Sequence, residues 1–94
     1  MTDDDGTVDR LSNLGPKSRA MLGAAGITTI GELRRLGSVA AYVRVRRAGG
    51  RPSLNLLWAL EGALCGEHWS EVARRHRTSL LLALDAFERQ GADA

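Results

Sequence analysis

The most apolar part of the chain is residues 53–66, SLNLLWALEGALCG, whose nonpolar side chains fall on every side of a helical wheel. A helix that is apolar nearly all round is normally covered on each face by neighbouring elements. Ser53, directly after Pro52, can cap the start of such a helix, and Gly66 can end it in a left-handed conformation. We therefore predict a central helix that the other elements surround, with Cys65 among its core residues.

A glycine and a proline open the first predicted helix, over residues 16–25. Pro16 suits the first helical position because its backbone is already close to helical, and Gly26 provides a left-handed stop. Ile27 then anchors the link to the next helix. The residues expected on the inward face of this first helix are Ala20, Met21, Ala24 and Ala25, with Leu22 alongside.

Thr29 and Glu32 have the spacing of a capping box, in which each side chain binds the other residue's free backbone N–H. They predict a second helix over residues 30–36, which Gly37 ends. A third helix follows over residues 39–48. It places apolar residues on one side and arginines largely on the other: Val39, Tyr42, Val43 and Val45 against Arg44, Arg46 and Arg47.

The sequence after the central helix predicts a loop over residues 67–72, whose Trp69 folds back as a plug on the core, and a last helix over about residues 75–90. The basic cluster at residues 74–77 would then oppose the dipole at the start of that helix. A helix that begins earlier, near Ser70, is the simpler alternative. The apolar residues of the last helix are Leu80, Leu81, Ala83, Leu84 and Phe87.

These patterns together predict the fold class. No stretch of the sequence alternates with the two-residue period of a β-strand, so we predict an all-α fold. Short helices with one apolar face must pack against each other. We expect a compact bundle of about five short helices, with the central apolar helix inside it.

Ninety-four residues suffice for one domain, which we place at residues 10–90, between an acidic, disordered tail at residues 1–9 and a short tail at residues 91–94. Residues 10–90 contain thirteen basic and six acidic residues, which gives a net charge of +7. Twelve of the thirteen basic residues are arginine. No apolar run reaches the ~20 residues of a membrane span, and the N-terminus lacks the apolar region of a signal peptide. We expect a cytoplasmic protein with no membrane partner.

Two sets of residues could bind phosphate groups. Gly15 and Lys17 stand where the first helix begins, and a helix start presents unpaired N–H groups that suit an anion. The alternative is a helix start with a purely structural role. The second set comprises Arg44, Arg46, Arg47 and Arg51, which could hold nucleic-acid backbone or could form a soluble face. No aromatic residue is interleaved with these arginines, so a platform for stacking single-stranded bases is not expected.

The sequence contains few groups for catalysis. Cys65, His68 and His76 are the main ones, joined by the carboxylates of Glu61, Glu67 and Glu71. A metal site requires three or four ligands, and a nucleophilic site requires a base and an orienting group. Neither arrangement is visible, and both histidines are expected at the surface. We predict no catalytic residues, no metal, no cofactor and no enzymatic activity.

Two segments carry a resemblance to a known family: residues 13–18, NLGPKS, and residues 55–64, NLLWALEGAL. With the sequence around them, over about residues 11–85, they resemble the TfoX C-terminal domain family, named for bacterial regulators of natural competence. The resemblance implies a compact helical domain, often preceded in full regulators by an α/β domain, and brings no catalytic residues. The N-terminal half also resembles the second half of a helix-hairpin-helix unit, which grips nucleic-acid backbone without reading bases.

Two functions remain open from the sequence. The first is a non-enzymatic helical module, in a transcription or DNA-uptake context, that contacts nucleic-acid backbone through Gly15, Lys17 and the arginines. The second is a protein-interaction module without DNA binding, in which the basic face meets an acidic protein or the apolar helices meet a second copy in a homodimer. The most informative structural observation is whether Gly15, Lys17, Arg44, Arg46 and Arg47 share one face, because scattered positions would favour a solvated surface without a binding role.

Overall fold

The computed structural model describes Gly6 and residues 14–92, with side chains described through residue 90. Five helices make up this part of the chain: α1 Pro16–Ala24, α2 Ile30–Arg47, α3 Leu54–Cys65, α4 Trp69–Arg75 and α5 Arg77–Ala92. α3 packs against α2 and α4, while α2 also contacts α1 and α5. The predicted all-α bundle is confirmed. Across the described residues, every helix is too short or too polar to cross a membrane.

The core is built on the middle of α3, where residues 56–60 are all buried. Leu57 and Leu60 are completely excluded from solvent, and Trp58 is only 5% exposed. The predicted boundaries are confirmed, since Ser53 occupies the N-cap position and Gly66 ends the helix with a φ of 77°. The predicted burial of Cys65 is wrong, because it is exposed in the last turn of α3. The apolar pattern alone could not indicate which end of the helix its neighbours leave uncovered.

α1 contacts the core through part of the predicted face, namely Met21 and Ala25 together with Leu22. Leu22 is fully buried, whereas Ala20 and Ala24 are exposed, and Met21 and Ala25 lie between these extremes. Burying a leucine removes far more apolar surface from water than burying an alanine, so the helix turns its one large branched residue inward.

The link after α1 follows the prediction. Gly26 has a φ of 81°, a left-handed conformation in which glycine is favoured. Behind it, the N–H of Ile27 donates to the carbonyl of Leu22 at 2.9 Å. Ile27 is fully buried, which confirms it as the anchor of this link.

α2 consists of two helical segments joined at Gly37, whose φ of 82° and ψ of 166° are not helical. The predicted break is therefore confirmed, and the helix resumes directly after it. The predicted capping box is also present: the Glu32 N–H donates to Thr29 Oγ1 at 3.1 Å, and the Thr29 N–H donates to Glu32 Oε1 at 3.3 Å.

A hydrogen bond joins the second segment of α2 to α3. The hydroxyl of Ser38, a buried residue, donates to Glu61 Oε1 at 2.8 Å. Glu61 is the one charged residue of α3, and a buried or half-buried carboxylate is costly unless it is hydrogen-bonded. The serine thus satisfies it at the point where α2 resumes after Gly37.

The region after α3 is a helix and not the predicted loop. α4 begins at Trp69, close to the alternative start near Ser70, and the predicted role of Trp69 as a core plug is wrong, since it is 39% exposed. Val72 is the residue that α4 buries. Because α4 ends at Arg75, two of the clustered arginines lie in a last turn, where cations complement the helix dipole.

α5 begins at Arg77, after His76 interrupts the helical path, and packs mainly through Leu80 and Leu84. Ala83, expected among its core residues, is exposed, and Leu82 is 66% exposed. The backbone of α5 continues to Ala92, into the range predicted as a tail.

Within the predicted N-terminal tail, only Gly6 is described. Its carbonyl accepts a hydrogen bond from the N–H of Ile30 at 2.9 Å. The rest of the range 1–9 lies outside the described residues, as do residues 93 and 94.

Replacing Trp58 by alanine should destabilise the domain by about 3 to 5 kcal/mol, because it removes a large buried side chain from the centre of the core. Urea unfolding followed by circular dichroism measures this loss. Trp69→Ala is the matched control, since it removes the same side chain from a partly exposed position and should cost less. Equal losses for the two variants would contradict the packing described for α3.

Gly37→Ala should destabilise the domain by about 1 to 3 kcal/mol, because its backbone conformation is one that residues other than glycine rarely adopt. A Cβ at this position would meet no other atom within 4 Å, so the cost is conformational. Gly23→Ala is the control within helix α1, where the added Cβ is also unobstructed. It should stabilise the domain by about 0.5 to 1 kcal/mol, and thermal unfolding will show whether the two substitutions have opposite signs.

Candidate nucleic-acid interface

A surface hollow of about 350 Å³ lies where α1, the connector before α3, and α4 meet. We call it the α1–α3 hollow. Its polar rim comprises Lys17 and Ser18 of α1, Arg51 and Ser53 of the connector, and Asn55 of α3. Its remaining surface comprises Met21, Leu56, Ala59 and Trp69. The hollow thus combines cations, hydrogen-bonding groups and an apolar wall.

Two cations that are far apart in the sequence meet at this hollow. Lys17 and Arg51 both line it, and no carboxylate is among the residues that do. Within the described part of the chain, neither cation is paired with an acidic side chain. The positive charge at the α1–α3 hollow is therefore not neutralised by a described neighbour.

The connector that carries Arg51 is held in place by hydrogen bonds. The hydroxyl of Tyr42 donates to the carbonyl of Pro52 at 3.3 Å, and the N–H of Gly50 donates to the carbonyl of Val45 at 3.1 Å. A Cβ at Gly50 would lie 2.9 Å from a methyl carbon of Val45, so this close approach requires glycine. Gly49 and Gly50 thus turn the chain tightly enough to bring Arg51 beside α1.

Gly15 lies at the N-cap of α1, with exposed, extended backbone and no side-chain cap. Its carbonyl accepts the N–H of Arg19 at 3.0 Å, which closes the first turn. Ser53 at the N-cap of α3 likewise makes no capping hydrogen bond with its side chain. A helix start has N–H groups without helical partners, and neither of these two N-cap residues caps them with its own side chain.

Trp69 is the main feature of this hollow that the sequence did not predict. Its ring lies 5.5 Å from the ring of His68, tilted by 34°. No aromatic residue is interleaved with the arginines in the sequence, but α4 brings Trp69 to the hollow that Lys17 and Arg51 line. A signal was available: Trp69 stands in the polar segment 67–71, EHWSE, where a fully buried residue would be unusual.

The other three candidate arginines lie elsewhere. Arg46 is engaged, since it forms a salt bridge to Glu88 at 3.2 Å and its guanidinium lies 5.8 Å from the ring centre of Tyr42. Arg44 and Arg47 line a separate hollow of about 130 Å³ with Phe87 of α5. The six candidate residues therefore do not share one hollow: Lys17 and Arg51 line the α1–α3 hollow, and Arg44 and Arg47 line the other.

Comparison with known proteins supplies the family. The profile of the TfoX C-terminal domain matches residues 5–84. The chain belongs to the TfoX C-terminal domain family. An uncharacterized protein from Listeria monocytogenes, solved in a triclinic crystal form, has a similar fold with a TM-score of 0.74 and 29% sequence identity, covering 88% of this chain and 94% of that one. No curated protein matches the sequence.

A polar cluster in this TfoX C-terminal domain is centred on Glu67, between α3 and α4. Its carboxylate accepts from His76 Nε2 at 3.0 Å, from Arg75 at 3.3 Å and from the thiol of Cys65 at 3.4 Å. The hydrogen bond from His76, then that from Cys65, lowers the pKa of Glu67. Desolvation, then the bond to Glu67, raises the pKa of the Cys65 thiol, which opposes formation of a nucleophilic thiolate.

The surroundings of the two histidines fit surface positions. His68 caps α4, its Nδ1 accepting the N–H of Ser70 at 3.2 Å, and His76 ends α4. Within the described residues, no group of three or more histidine, cysteine or acidic side chains is arranged to hold a metal ion. The hydrogen bonds of Glu67 join the end of α3, at Cys65, to the end of α4, at Arg75 and His76.

The Glu67 cluster predicts an acid-dependent loss of stability. A carboxyl whose pKa is lowered by folding stabilises the fold above its ordinary value of 4.5 and loses that contribution as the pH falls through the lowered value. Glu67→Gln should therefore be less stable than the natural protein at neutral pH, and the difference should shrink under acid conditions. Urea unfolding at several pH values measures it; a difference that stays constant down to strongly acid pH would argue against the cluster.

Proposed function

We propose that this TfoX C-terminal domain is a non-enzymatic module that binds nucleic-acid backbone, with Lys17 and Arg51 at the α1–α3 hollow as its principal phosphate contacts. The observation that carries the proposal is the convergence of these two cations at a hollow whose lining includes no carboxylate. A phosphate diester fits this arrangement, because it is an anion with several acceptor oxygens and is attracted to lysine and arginine.

The neighbouring groups support the same ligand. Ser18, Ser53 and Asn55 place hydrogen-bonding side chains around the two cations. Hydroxyl and amide groups are common partners of phosphate oxygens in protein–DNA contacts. The start of α1 at Gly15 adds uncapped backbone N–H groups close in sequence to Lys17. Such contacts position a backbone without reading its sequence, so we expect low sequence specificity.

The charge balance favours a polyanionic partner as well. Residues 10–90 carry a net charge of +7, and several of the arginines outside the hollow are already paired with carboxylates. A positive surface of this kind attracts a polyanion over distances of about 8 Å at physiological salt. The competence and DNA-uptake setting that the family's name implies is compatible with such a ligand.

A second candidate function is binding of an acidic protein surface, and the hollow formed with Phe87 favours it. Arg44 and Arg47 flank apolar side chains of α2 and α5 there, and neither arginine is paired with a described carboxylate. A hollow with an apolar floor and two cations suits an acidic side chain beside an apolar one. Nucleic-acid titrations of Arg44→Gln/Arg47→Gln separate the two functions, because unchanged DNA affinity would leave this pair for a protein partner.

The salt dependence of DNA binding tests the proposal. The protein should bind a short fluorescent DNA duplex at low salt, with an affinity that falls as salt rises. Lys17→Gln/Arg51→Gln should weaken binding similarly for all sequences and reduce the slope of log affinity against log salt by about 2, since each lost phosphate contact removes about 0.9. Fluorescence anisotropy at several salt concentrations measures both quantities.

The matched control is Arg74→Gln/Arg89→Gln. It removes the same charge, but Arg74 already pairs with Glu71 and Arg89 pairs with Asp85 at 2.8 Å. This variant should change the slope less than the first one does. Absence of binding at low salt would rule out the nucleic-acid function, and equal effects of the two double variants would mean that net charge acts without a localised contact at the hollow.

A further inference from the structure

We infer that the α1–α3 hollow accepts one unpaired nucleotide of a single strand, with the base against Trp69 and the phosphate between Lys17 and Arg51. This inference rests on the proposed binding of nucleic-acid backbone and adds the class of strand that is preferred. Its basis is that one hollow holds a partly exposed indole, two cations without carboxylate partners, and an apolar wall.

The first observation that supports a nucleotide site is the solvent exposure of Trp69. An indole left 39% exposed keeps a large apolar surface in water, whereas Trp58, the other tryptophan of the chain, is only 5% exposed. Aromatic side chains beside cations are the groups on which unpaired bases stack, with little dependence on which base is bound. Trp69 therefore supplies an aromatic face on which a base can stack, which phosphate contacts alone do not provide.

The shape and size of the hollow are the second step. Its volume of about 350 Å³ is at the small end of the range of roughly 300 to 1,000 Å³ typical of ligand pockets, which suits a single nucleotide. Met21 and Leu56 are apolar residues of the same lining, and Asn55 provides an amide that could contact a base edge. The lining thus includes apolar side chains that can contact a ring and polar ones that can contact a phosphate.

The pairing state of the nucleic acid is the third step. Bases within a duplex are stacked on their neighbours, so their faces are closed to a side chain, and a duplex offers the hollow only its phosphates. An unpaired nucleotide offers a base face and a phosphate together. Trp69 and the two cations can therefore act jointly on a single strand but not on a duplex.

The test compares two fluorescent single strands of equal length: oligothymidylate, and an abasic oligomer with the same phosphates and no bases. The natural protein should bind oligothymidylate about tenfold more tightly than the abasic strand, which is the size expected for stacking of one base. Trp69→Ala should remove this difference while leaving affinity for the abasic strand unchanged. Trp69→Phe should retain most of the difference, because it keeps an aromatic face.

Two controls distinguish stacking on Trp69 from a change in folding and from non-specific hydrophobic binding. Leu82→Ala removes the most exposed large apolar side chain of the described residues, and Leu82 does not line the hollow, so this variant should bind both strands as the natural protein does. Tryptophan emission provides a second measurement. Oligothymidylate should quench the natural protein but not Trp69→Phe, whose remaining Trp58 is buried.

The outcomes distinguish this inference from the proposed function. Equal affinity for oligothymidylate and the abasic strand, with both lowered by Lys17→Gln/Arg51→Gln, would overturn the nucleotide site and leave the backbone contact standing. Loss of the difference in Leu82→Ala would also overturn it. Failure to bind any of the strands or the duplex at low salt would overturn both.

Discussion

Burial of the middle of α3, residues 56–60, is the constraint on which the rest of the structure depends. Leu57, Trp58 and Leu60 provide apolar surface on several sides of one helix, so α2 and α4 must both pack against it. α2 is interrupted at Gly37, and directly after this break Ser38 donates a hydrogen bond to Glu61, which carries the single carboxylate of α3. The same packing brings the start of α3, with its connector, beside α1 and α4, and the α1–α3 hollow lies at that junction.

The electrostatic character of the surface depends on which cationic side chains form a salt bridge with a carboxylate. Arg46, Arg74 and Arg89 have one within salt-bridge distance on the same or a neighbouring helix, and exposed pairs of this kind contribute little to stability. Lys17 and Arg51 have none among the described residues, and neither do Arg44 and Arg47. Position in the fold, and not residue type, thus decides which cations are paired, which explains why twelve arginines in the sequence indicate a basic protein but not a site.

Local signals predicted much of the fold because they act over a few residues. The capping box at Thr29, the left-handed glycines at 26, 37 and 66, and the strongly apolar segment of α3 each depend on hydrogen bonds or backbone sterics within one or two turns. Burial of particular small or terminal residues was predicted less well. Ala20, Ala24, Ala83 and Cys65 are compatible with either surface or core, so the neighbouring helices decided where each one lies.

By itself, the sequence determined the class of fold, the family, the helix boundaries around α3 and the excess of basic residues, because composition, periodicity and capping are properties of short segments. Only the tertiary structure decided which of those residues meet. Lys17, Arg51 and Trp69 come from α1, a connector and α4, and their separation along the chain carries no information about distance in space. The tight turn at Gly50 and the packing of α4 on α3 bring them together, and both depend on contacts between distant segments.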